Sequence, residues 1–352
     1  MYRQTYAKIN MNSIYNNIVK IKENYNYEYY MAVIKSNCYG HGIGSIQAII
    51  DAGCNYLAVA TLEEAGQARL YTDMPILCLG TVPVESLPIC VNNNITISIN
   101  SYDYYNKIKD LSYPLTVHIK LNTGMNRLGI KRQEELDEVV GSIPRTTYKL
   151  EGIFSHIYNP SNVSDTKRQF DKFSELCSNI DLNKIKIVHI AASDALTKYP
   201  KPNYINCVRL GIIMYGFSDD LDLESTFSLH SQVVQLNDLE PGDKLGYGGT
   251  YIAEKQERIA VVQIGYGDGL LRAYKGNNVY INNKPYKIIG NVCMDMLFTQ
   301  ADDTVNVGNT ATLLKDNNHI KEIANNLNTI TYEIICTVGS RVPRIYEYDN
   351  NR

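Results

Sequence analysis

Five polar side chains lie within or directly after apolar, strand-like runs of the sequence: Lys35, Lys120, His156, Ser193 and Arg209. A lysine such as Lys35, which follows an apolar run, is costly to bury unless the protein uses it. On position alone, Lys35 could equally reach solvent beyond its strand. The other four groups favour a functional site, where a buried lysine commonly acts as a general base or forms a Schiff base. Both uses require the neutral amine, which burial and a nearby cation such as Arg209 favour.

A Schiff base to pyridoxal phosphate would also need a binding site for the phosphate. Candidate donors are the hydroxyls of Ser193 and Tyr39 and the backbone N–H groups of Gly211 and Ile212. Backbone N–H groups bind phosphate well, and glycine allows a ligand to approach closely. The alternative role for Gly211 is tight packing between a helix and a strand. The glycines that follow Tyr39 do not have the spacing of a dinucleotide-binding motif.

The elements that must position these groups form a repeating pattern. Short runs rich in Val, Ile and Tyr predict eight strands buried on both faces: Tyr29–Lys35, Tyr56–Thr61, Pro75–Gly80, Ile95–Ile99, Thr116–Leu121, Leu150–His156, Lys186–Ser193 and Cys207–Gly216. Helical patterns lie between them, among them Ile46–Ala52, Thr61–Leu70 and Thr166–Ile180. This alternation over about 190 residues predicts an α/β fold with a (β/α)8 barrel, since a doubly wound sheet usually has fewer strands. The polar strand ends would then meet at one rim.

The character of the sequence changes after about Phe217. Turn signals such as Pro241-Gly242-Asp243 separate shorter alternating runs that predict strands: Val233–Leu236, Arg258–Ile264, Asn278–Ile281 and Ala311–Leu314. We therefore expect a barrel domain over residues 10–222 and a mostly β domain over residues 223–352.

Composition excludes several classes of protein. The 352 residues carry 34 Lys and Arg against 37 Asp and Glu, a net charge of −3, which gives no electrostatic reason to bind nucleic acid. The eight cysteines include no C-x-x-C pair, so neither a disulfide framework nor a metal site is expected. No apolar run approaches the ~20 residues of a membrane span, and the first residues lack the apolar core of a signal peptide. A cytoplasmic protein is expected, although a catalytic fragment of a larger membrane protein would look the same.

Seven segments resemble, in order, the motifs of the bacterial alanine racemases: Ala32–Gly42, Lys120–Gly129, Val208–Gly216, Leu245–Tyr251, Ile264–Gly269, Asn291–Asp295 and Thr331–Glu333. They cover nearly the whole chain, and seven ordered matches are far more specific than any one. The resemblance implies a homodimer of barrel and β domains in which residues 1–9 join the β domain. It also implies pyridoxal phosphate as the cofactor and a two-base racemisation of alanine, which supplies D-alanine for peptidoglycan.

The resemblance also implies roles for individual residues. Lys35 would bind the cofactor and act as the base on the D side, while Tyr247 of the partner subunit would act on the L side. His156 and Arg209 would stabilise the anion of Tyr247, since a phenol is otherwise a poor base. Because arginine does not readily give up a proton, Arg209 would leave the pyridine nitrogen unprotonated. This would weaken the electron sink and disfavour side reactions.

The remaining implied roles concern the substrate and the phosphate. Arg127 would bind the substrate carboxylate, and Lys120, which is carbamylated in many members, would position Arg127. Met294 would add a backbone contact to that carboxylate. Tyr266 and Tyr332 would narrow the entrance, with Tyr332 also near the phosphate.

Two features leave alternatives open. The family usually has Ala-Asn-Ser-Ala around the phosphate serine, whereas this chain has Ala191-Ala192-Ser193-Asp194. The serine racemases of vancomycin-resistance clusters share most motifs, but Tyr332 favours a small substrate and hence alanine over serine. A serine or broad-specificity racemase is therefore the first alternative. A non-catalytic carrier of pyridoxal phosphate would need neither Tyr247 nor the β domain. A decarboxylase of similar architecture would usually be longer, with a Cys–Asp pair that Cys293 and Asp295 match only weakly.

Overall fold

The computed structural model describes residues 3–348, so the ends of the predicted domains at residues 1–2 and 349–352 lie outside the described residues. The chain divides into two compact units. The barrel unit comprises Tyr15–Cys38 and Ile46–Leu223, and the C-terminal unit comprises Tyr39–Ser45 and the described residues of Met1–Ile14 and Glu224–Arg352. The first strand, β1 (Tyr6–Asn10), belongs to the C-terminal unit. Within residues 3–348, no helix is both long and apolar enough to cross a membrane.

The predicted (β/α)8 barrel is confirmed. Eight parallel strands close in sequence order, namely β2 (Tyr29–Val33), β3 (Tyr56–Val59), β4 (Ile76–Cys78), β5 (Ile95–Ile99), β6 (Thr116–Lys120), β7 (Lys149–Phe154), β8 (Ile187–Ala192) and β9 (Cys207–Leu210). The last strand pairs with the first, with Arg209 opposite Met31. The runs are mostly apolar because one face of each strand fills the barrel and the other packs under helices.

Helices alternate with the barrel strands: Met11–Asn24, Ile46–Asp51, Leu62–Arg69, Leu87–Asn92, Tyr102–Ile108, Gln133–Ser142, Val163–Leu176 and Ser193–Lys198. The predicted helix start at Thr61 is confirmed by a capping box. The Thr61 hydroxyl accepts the N–H of Glu64, and the Glu64 carboxylate accepts the N–H of Thr61, both at 3.3 Å. Helix Val163–Leu176 begins and ends earlier than predicted, because Asn162 supplies its cap by accepting the N–H of Asp165.

The C-terminal unit contains the strands that follow the barrel: β10 (Phe227–Leu239), β11 (Lys244–Leu245), β12 (Tyr251–Ile252), β13 (Glu257–Val262), β14 (Asn278–Ile281), β15 (Lys284–Ile289), β16 (Leu297–Ala301), β17 (Thr310–Leu314) and β18 (Arg344–Glu347). Most of them join β1 in an eight-stranded sheet of order β13-β16-β15-β14-β17-β10-β1-β18, while β11 and β12 pair with each other. Two helices, Asn317–Asn326 and Thr331–Cys336, belong to the same unit. Strand β1 pairs antiparallel with β10 and parallel with β18.

Seven of the eight barrel strands end earlier than predicted, and the endings of the first and last strands matter for the candidate site. The extension of the last strand to Gly216 is wrong, because Gly211 (φ −112°, ψ −117°) leaves the extended conformation and Ile212–Tyr215 forms a 3-10 turn. The first strand ends at Val33, so Lys35 lies beyond it and opens a turn. Backbone N–H groups beyond these strand ends bond to side chains at the rim, as those of Ser36 and Gly211 do.

Candidate active site

Lys35 opens a left-handed turn at the end of the first barrel strand. Ser36, Asn37 and Cys38 have φ of 52°, 53° and 54°. This conformation costs a non-glycine residue roughly 1–2 kcal/mol, so the turn needs support from its surroundings. One carboxylate oxygen of Glu64 accepts the Ser36 N–H at 2.7 Å, and the other accepts the Ala60 N–H at 2.8 Å. Glu64 thus ties the turn beside Lys35 to the end of the next barrel strand.

Positive charges gather around His156 at the same rim. Burial is the largest cause that lowers the pKa of His156, and the remaining causes are the charges of Arg209, Lys120, Arg127 and Lys35. Together they lower this pKa from 6.5 to about 2, so the imidazole of His156 is neutral. The basic side chains predicted from the sequence are therefore brought together, and such a cluster suits a ligand that carries phosphate or carboxylate groups.

Lys120 and Arg127 differ in their surroundings. Lys120 is 8% exposed, and its Nζ atom lies 4.6 Å from the centroid of the Phe154 ring. Burial, with the charges of Arg209 and Arg127, lowers the pKa of Lys120 well below its ordinary value. Arg127 is exposed, in the loop after β6. The neutral amine of Lys120 is thereby favoured, while the guanidinium of Arg127 is exposed where a carboxylate can reach it.

Arg209 is buried, with 3% of its surface exposed, and its guanidinium donates to several acceptors. One terminal nitrogen donates to the carbonyls of Ser155 (2.7 Å) and Ile190 (2.8 Å) and to Nδ1 of His156 (3.2 Å). The other donates to Nδ1 of His189 at 2.6 Å. Because arginine only donates, Nδ1 of the neutral His156 must accept, and its proton lies on Nε2.

Sequence reasoning missed His189. The signal was present, since a histidine in the middle of the apolar strand Ile187–Ala192 has the same unexplained polarity as Arg209 in its own strand. His189 lies three residues before the end of β8 and so, unlike Lys120 and Ser193, it does not mark the end of an apolar run.

The ends of β8 and β9 form a cluster of hydrogen-bond donors around Ser193. The Ser193 hydroxyl, 6% exposed, accepts the backbone N–H groups of Gly211 (3.2 Å) and Ile213 (3.4 Å). Ile212 lies between them in the same turn. Two N–H groups that converge on a hydroxyl are the donor set that binds a phosphate oxygen. Of the two departures from the family pattern, Ala192 makes no side-chain cap, and Asp194 is exposed.

The C-terminal unit brings its own predicted residues into two groups. The rings of Tyr39 and Tyr332 lie 5.9 Å apart. Tyr266 and Met294 are neighbours, because the Tyr266 N–H donates to the carbonyl of Cys293 at 3.0 Å. Asn291 of the same segment donates to the carbonyl of Tyr247 at 2.8 Å.

The second group, which consists of Tyr247, Tyr266 and Met294, is more exposed to solvent than Tyr39 in the first group. Tyr247 is 76% exposed, Met294 53% and Tyr266 41%. Large apolar surface at three neighbouring positions exceeds the scatter of single apolar residues on an ordinary surface.

Comparison with known proteins places this chain among relatives of the same length and architecture. The family model for the alanine racemase N-terminal domain matches residues 9–219, and that for the alanine racemase C-terminal domain matches residues 226–346. The chain is 35% identical to alanine racemase 1 of Bacillus subtilis, covering 98% of this chain and 93% of that protein. It is 34% identical to the alanine racemase of Anoxybacillus flavithermus, covering 98% and 95%. The crystal structure of alanine racemase from Bacillus anthracis with bound L-Ala-P matches with a TM-score of 0.93 and 32% identity, covering 100% of this chain and 97% of that one. This chain therefore belongs to the alanine racemase family.

Proposed function

We propose that this protein interconverts L- and D-alanine with pyridoxal phosphate as its cofactor and thereby supplies D-alanine for peptidoglycan in the cytoplasm. The observation that carries the proposal is the half-buried Lys35 at a rim where Lys120, Arg127 and Arg209 all act on His156. A cationic rim around an accessible amine suits an amino acid and a phosphorylated carbonyl compound.

The donor set of the barrel unit fits pyridoxal phosphate. Lys35 offers the amine for the aldehyde carbon, and Ser193 with the N–H groups of Gly211 and Ile212 would hold the phosphate. Tyr39 and Tyr332 of the C-terminal unit are further candidates for that phosphate. When bound, the cofactor supplies the electron sink that acidifies the α C–H bond of the substrate. The protein must then supply two bases and control the strength of that sink.

Arg209 would control the sink. Four acceptors around its guanidinium hold it in place, namely the carbonyls of Ser155 and Ile190 and the imidazoles of His156 and His189. An arginine so held donates a hydrogen bond to a pyridine nitrogen but does not transfer its proton. Charge is then retained at the α carbon, which favours prompt return of a proton over competing reactions.

The two bases would be Lys35 and Tyr247 of the partner subunit. Nζ of Lys35 would move the proton on the D side, and the phenol oxygen of Tyr247 of the partner subunit would move it on the L side. We propose a homodimer because Tyr247 is 76% exposed and lies with the exposed Tyr266 and Met294, a surface that suits a second copy of the chain.

Arg127 and Lys120 would set the substrate contacts of the barrel unit. Exposed Arg127 would bind the substrate carboxylate, and the neutral amine of Lys120 is open to the carbamylation that the resemblance implies. Met294 would add its backbone contact, while Tyr266 and Tyr332 would limit the substrate to a small side chain.

The test is deuterium exchange at the α carbon, followed by NMR for L-alanine and L-serine side by side in D2O, with and without added pyridoxal phosphate. We expect cofactor-dependent exchange, appearance of the D enantiomer, and a faster rate for alanine. A faster rate for serine would overturn the substrate, and bound cofactor without exchange of either amino acid would overturn the racemase.

A further inference from the structure

Buried polar side chains continue from Arg209 into the barrel interior, away from the candidate site. Nδ1 of His189 accepts from Arg209 at 2.6 Å, and Nε2 of His189 lies 3.0 Å from Nδ1 of His118. Nε2 of His118 lies 3.4 Å from a carboxylate oxygen of Glu151. The other oxygen of Glu151 accepts from the ammonium of Lys186 at 2.8 Å. Each of these contacts joins residues from two different strands or from the ends of strands. The series therefore forms only when the barrel closes.

Strand register shows that these groups rise through the barrel in order. Glu151 is the third residue of β7, and His118 lies level with the next residue, Gly152. His189 is level with Phe154, which lies two residues beyond Gly152 along β7. Arg209 is level with Ala192, at the end of β8. Barrel interiors are normally filled by branched apolar side chains, so a polar series through the middle requires a reason.

The two ends of the series determine where each proton lies. Arginine only donates, so Nδ1 of His189 accepts, and a neutral His189 carries its proton on Nε2. That proton faces Nδ1 of His118, which must accept, so His118 also carries its proton on Nε2. This last proton faces Glu151, and a carboxylate only accepts. A donor at one end and an acceptor at the other therefore permit one order of protons for neutral imidazoles.

Charge and burial keep the imidazoles neutral and Glu151 ionised. His118 and His189 are fully buried, and burial is the largest cause that lowers the pKa of each. Burial opposes ionisation of Glu151, but hydrogen bonds from His118, Lys186 and Tyr56 outweigh it and lower the pKa of Glu151 to about 2. Tyr56 donates to Glu151 at 2.7 Å, so this carboxylate has three donors.

The barrel makes room for these imidazoles. A Cβ atom on Gly152 would lie 2.5 Å from Nδ1 of His118, closer than real Cβ contacts allow. The Phe154 ring stacks on His189 with its centroid 4.6 Å away and an interplanar angle of 2°. The absence of a side chain at Gly152 thus leaves space for the imidazole of His118, and the flat ring of Phe154 packs against the imidazole of His189. Both histidines are therefore closely packed in the barrel interior.

We propose that Glu151, His118 and His189 form a proton-ordered relay that holds Arg209 in one orientation, so that all three are positioning residues for the guanidinium. If either imidazole turned its proton toward Arg209, two donors would face each other and the guanidinium would have to move. The order of protons follows from the contacts in the barrel, and only its effect on racemisation rests on the proposed function.

The direct test is the position of the protons in the full, cofactor-free chain labelled with 15N-histidine. The chain has six histidines, and single substitutions assign their signals. Long-range 1H–15N spectra distinguish an imidazole protonated on Nε2 from one protonated on Nδ1. We expect His118 and His189 to be neutral and protonated on Nε2. A proton on Nδ1 of either residue, or a charged imidazole at neutral pH, would overturn the relay.

Two substitutions of Glu151 separate the relay from ordinary packing. Glu151→Leu removes the acceptor for His118, so we expect a second tautomer of His118 to appear. Glu151→Gln keeps a carbonyl oxygen that can accept from His118, so the order of protons should return. Ser98→Ala is the control, because Ser98 is fully buried in β5 and donates at 2.7 Å to the Cys78 carbonyl, outside the relay. Histidine signals of Glu151→Leu identical to those of the unsubstituted chain would overturn the proposal.

If Glu151→Leu does not fold, Gly152→Ala tests the same relay with every polar member present. The added methyl group must displace His118, so we expect the signals of His118 and His189 to change together. In the cofactor-loaded enzyme we expect deuterium exchange of alanine to fall roughly tenfold for Glu151→Leu and Gly152→Ala, as for the loss of one buried hydrogen bond. If His118 and His189 are protonated on Nε2 but the enzyme does not catalyse exchange of alanine, the proposed function is overturned and the relay is not. If the enzyme catalyses exchange but either histidine is protonated on Nδ1, the relay is overturned and the proposed function is not.

Discussion

Replacing Glu64 by Gln tests whether the turn beside Lys35 depends on a single carboxylate. The turn from Ser36 to Tyr39 has four consecutive non-glycine residues with φ from 52° to 54°. At roughly 1 kcal/mol or more for each residue, such a run costs on the order of 4 kcal/mol. The Ser36 N–H donates the hydrogen bond that joins this turn to Glu64. Gln has one acceptor oxygen, so it cannot satisfy the N–H groups of Ser36 and Ala60 together.

The free energy that the hydrogen bond between Ser36 and Glu64 contributes depends on how exposed the two residues are. A hydrogen bond to a charged group contributes about 1.5–3 kcal/mol when buried. Ser36 is exposed and Glu64 is half-buried, so we reduce this to about 1 kcal/mol, or a factor of about five in the opening equilibrium. We expect the amides of Ser36 to Tyr39 to exchange with solvent about fivefold faster, and pyridoxal phosphate to bind about fivefold more weakly.

The assay is hydrogen–deuterium exchange of the cofactor-free chain, with cofactor titrations followed by absorbance. Glu63→Gln is the matched control, because it removes the same charge from the same first helical turn, while the Ser36 N–H donates to Glu64. Unchanged exchange in Glu64→Gln, or an equal acceleration in Glu63→Gln, would refute the reasoning.

Three further predictions concern the candidate site. Lys35→Ala should abolish covalent attachment of pyridoxal phosphate, and cofactor absorbance that persists in the denatured chain would contradict this. Tyr247→Phe should reduce L-to-D turnover by at least about 100-fold while cofactor stays bound, as loss of a general base does; an unchanged turnover would exclude the role. The pKa of His156 is about 2 in the folded chain against 6.5 as its ordinary value, so only the unfolded chain gains this proton as pH falls below 6.5. Folding stability should therefore decrease toward acid, and His156→Gln should make that decrease shallower by up to about 1.4 kcal/mol per pH unit in denaturant titrations.

Local pattern was enough to predict much of the molecule. Alternating apolar runs indicated the barrel strands, and Ile95–Ile99 and Asn278–Ile281 have the bounds predicted for them. Charged groups within or directly after apolar runs led to Lys35, Lys120 and Arg209, because a charge in an apolar run is a local anomaly that can be seen without any partner. The endings of the first and last barrel strands were wrong because they depend on backbone torsions, which apolar pattern does not report.

The amino-acid sequence by itself determined the order of the barrel strands, the helix cap at Thr61 and the family, since each is encoded by residues close together or by motifs in a fixed order. Only the tertiary structure decided that His118 meets Glu151, 33 residues away, and His189, 71 residues away. Such contacts depend on register around a closed barrel, where one residue of slip would turn each side chain to the opposite face. A histidine in a strand is therefore ambiguous in the sequence, and it becomes a relay member only when neighbouring strands place a donor on one side of it and an acceptor on the other.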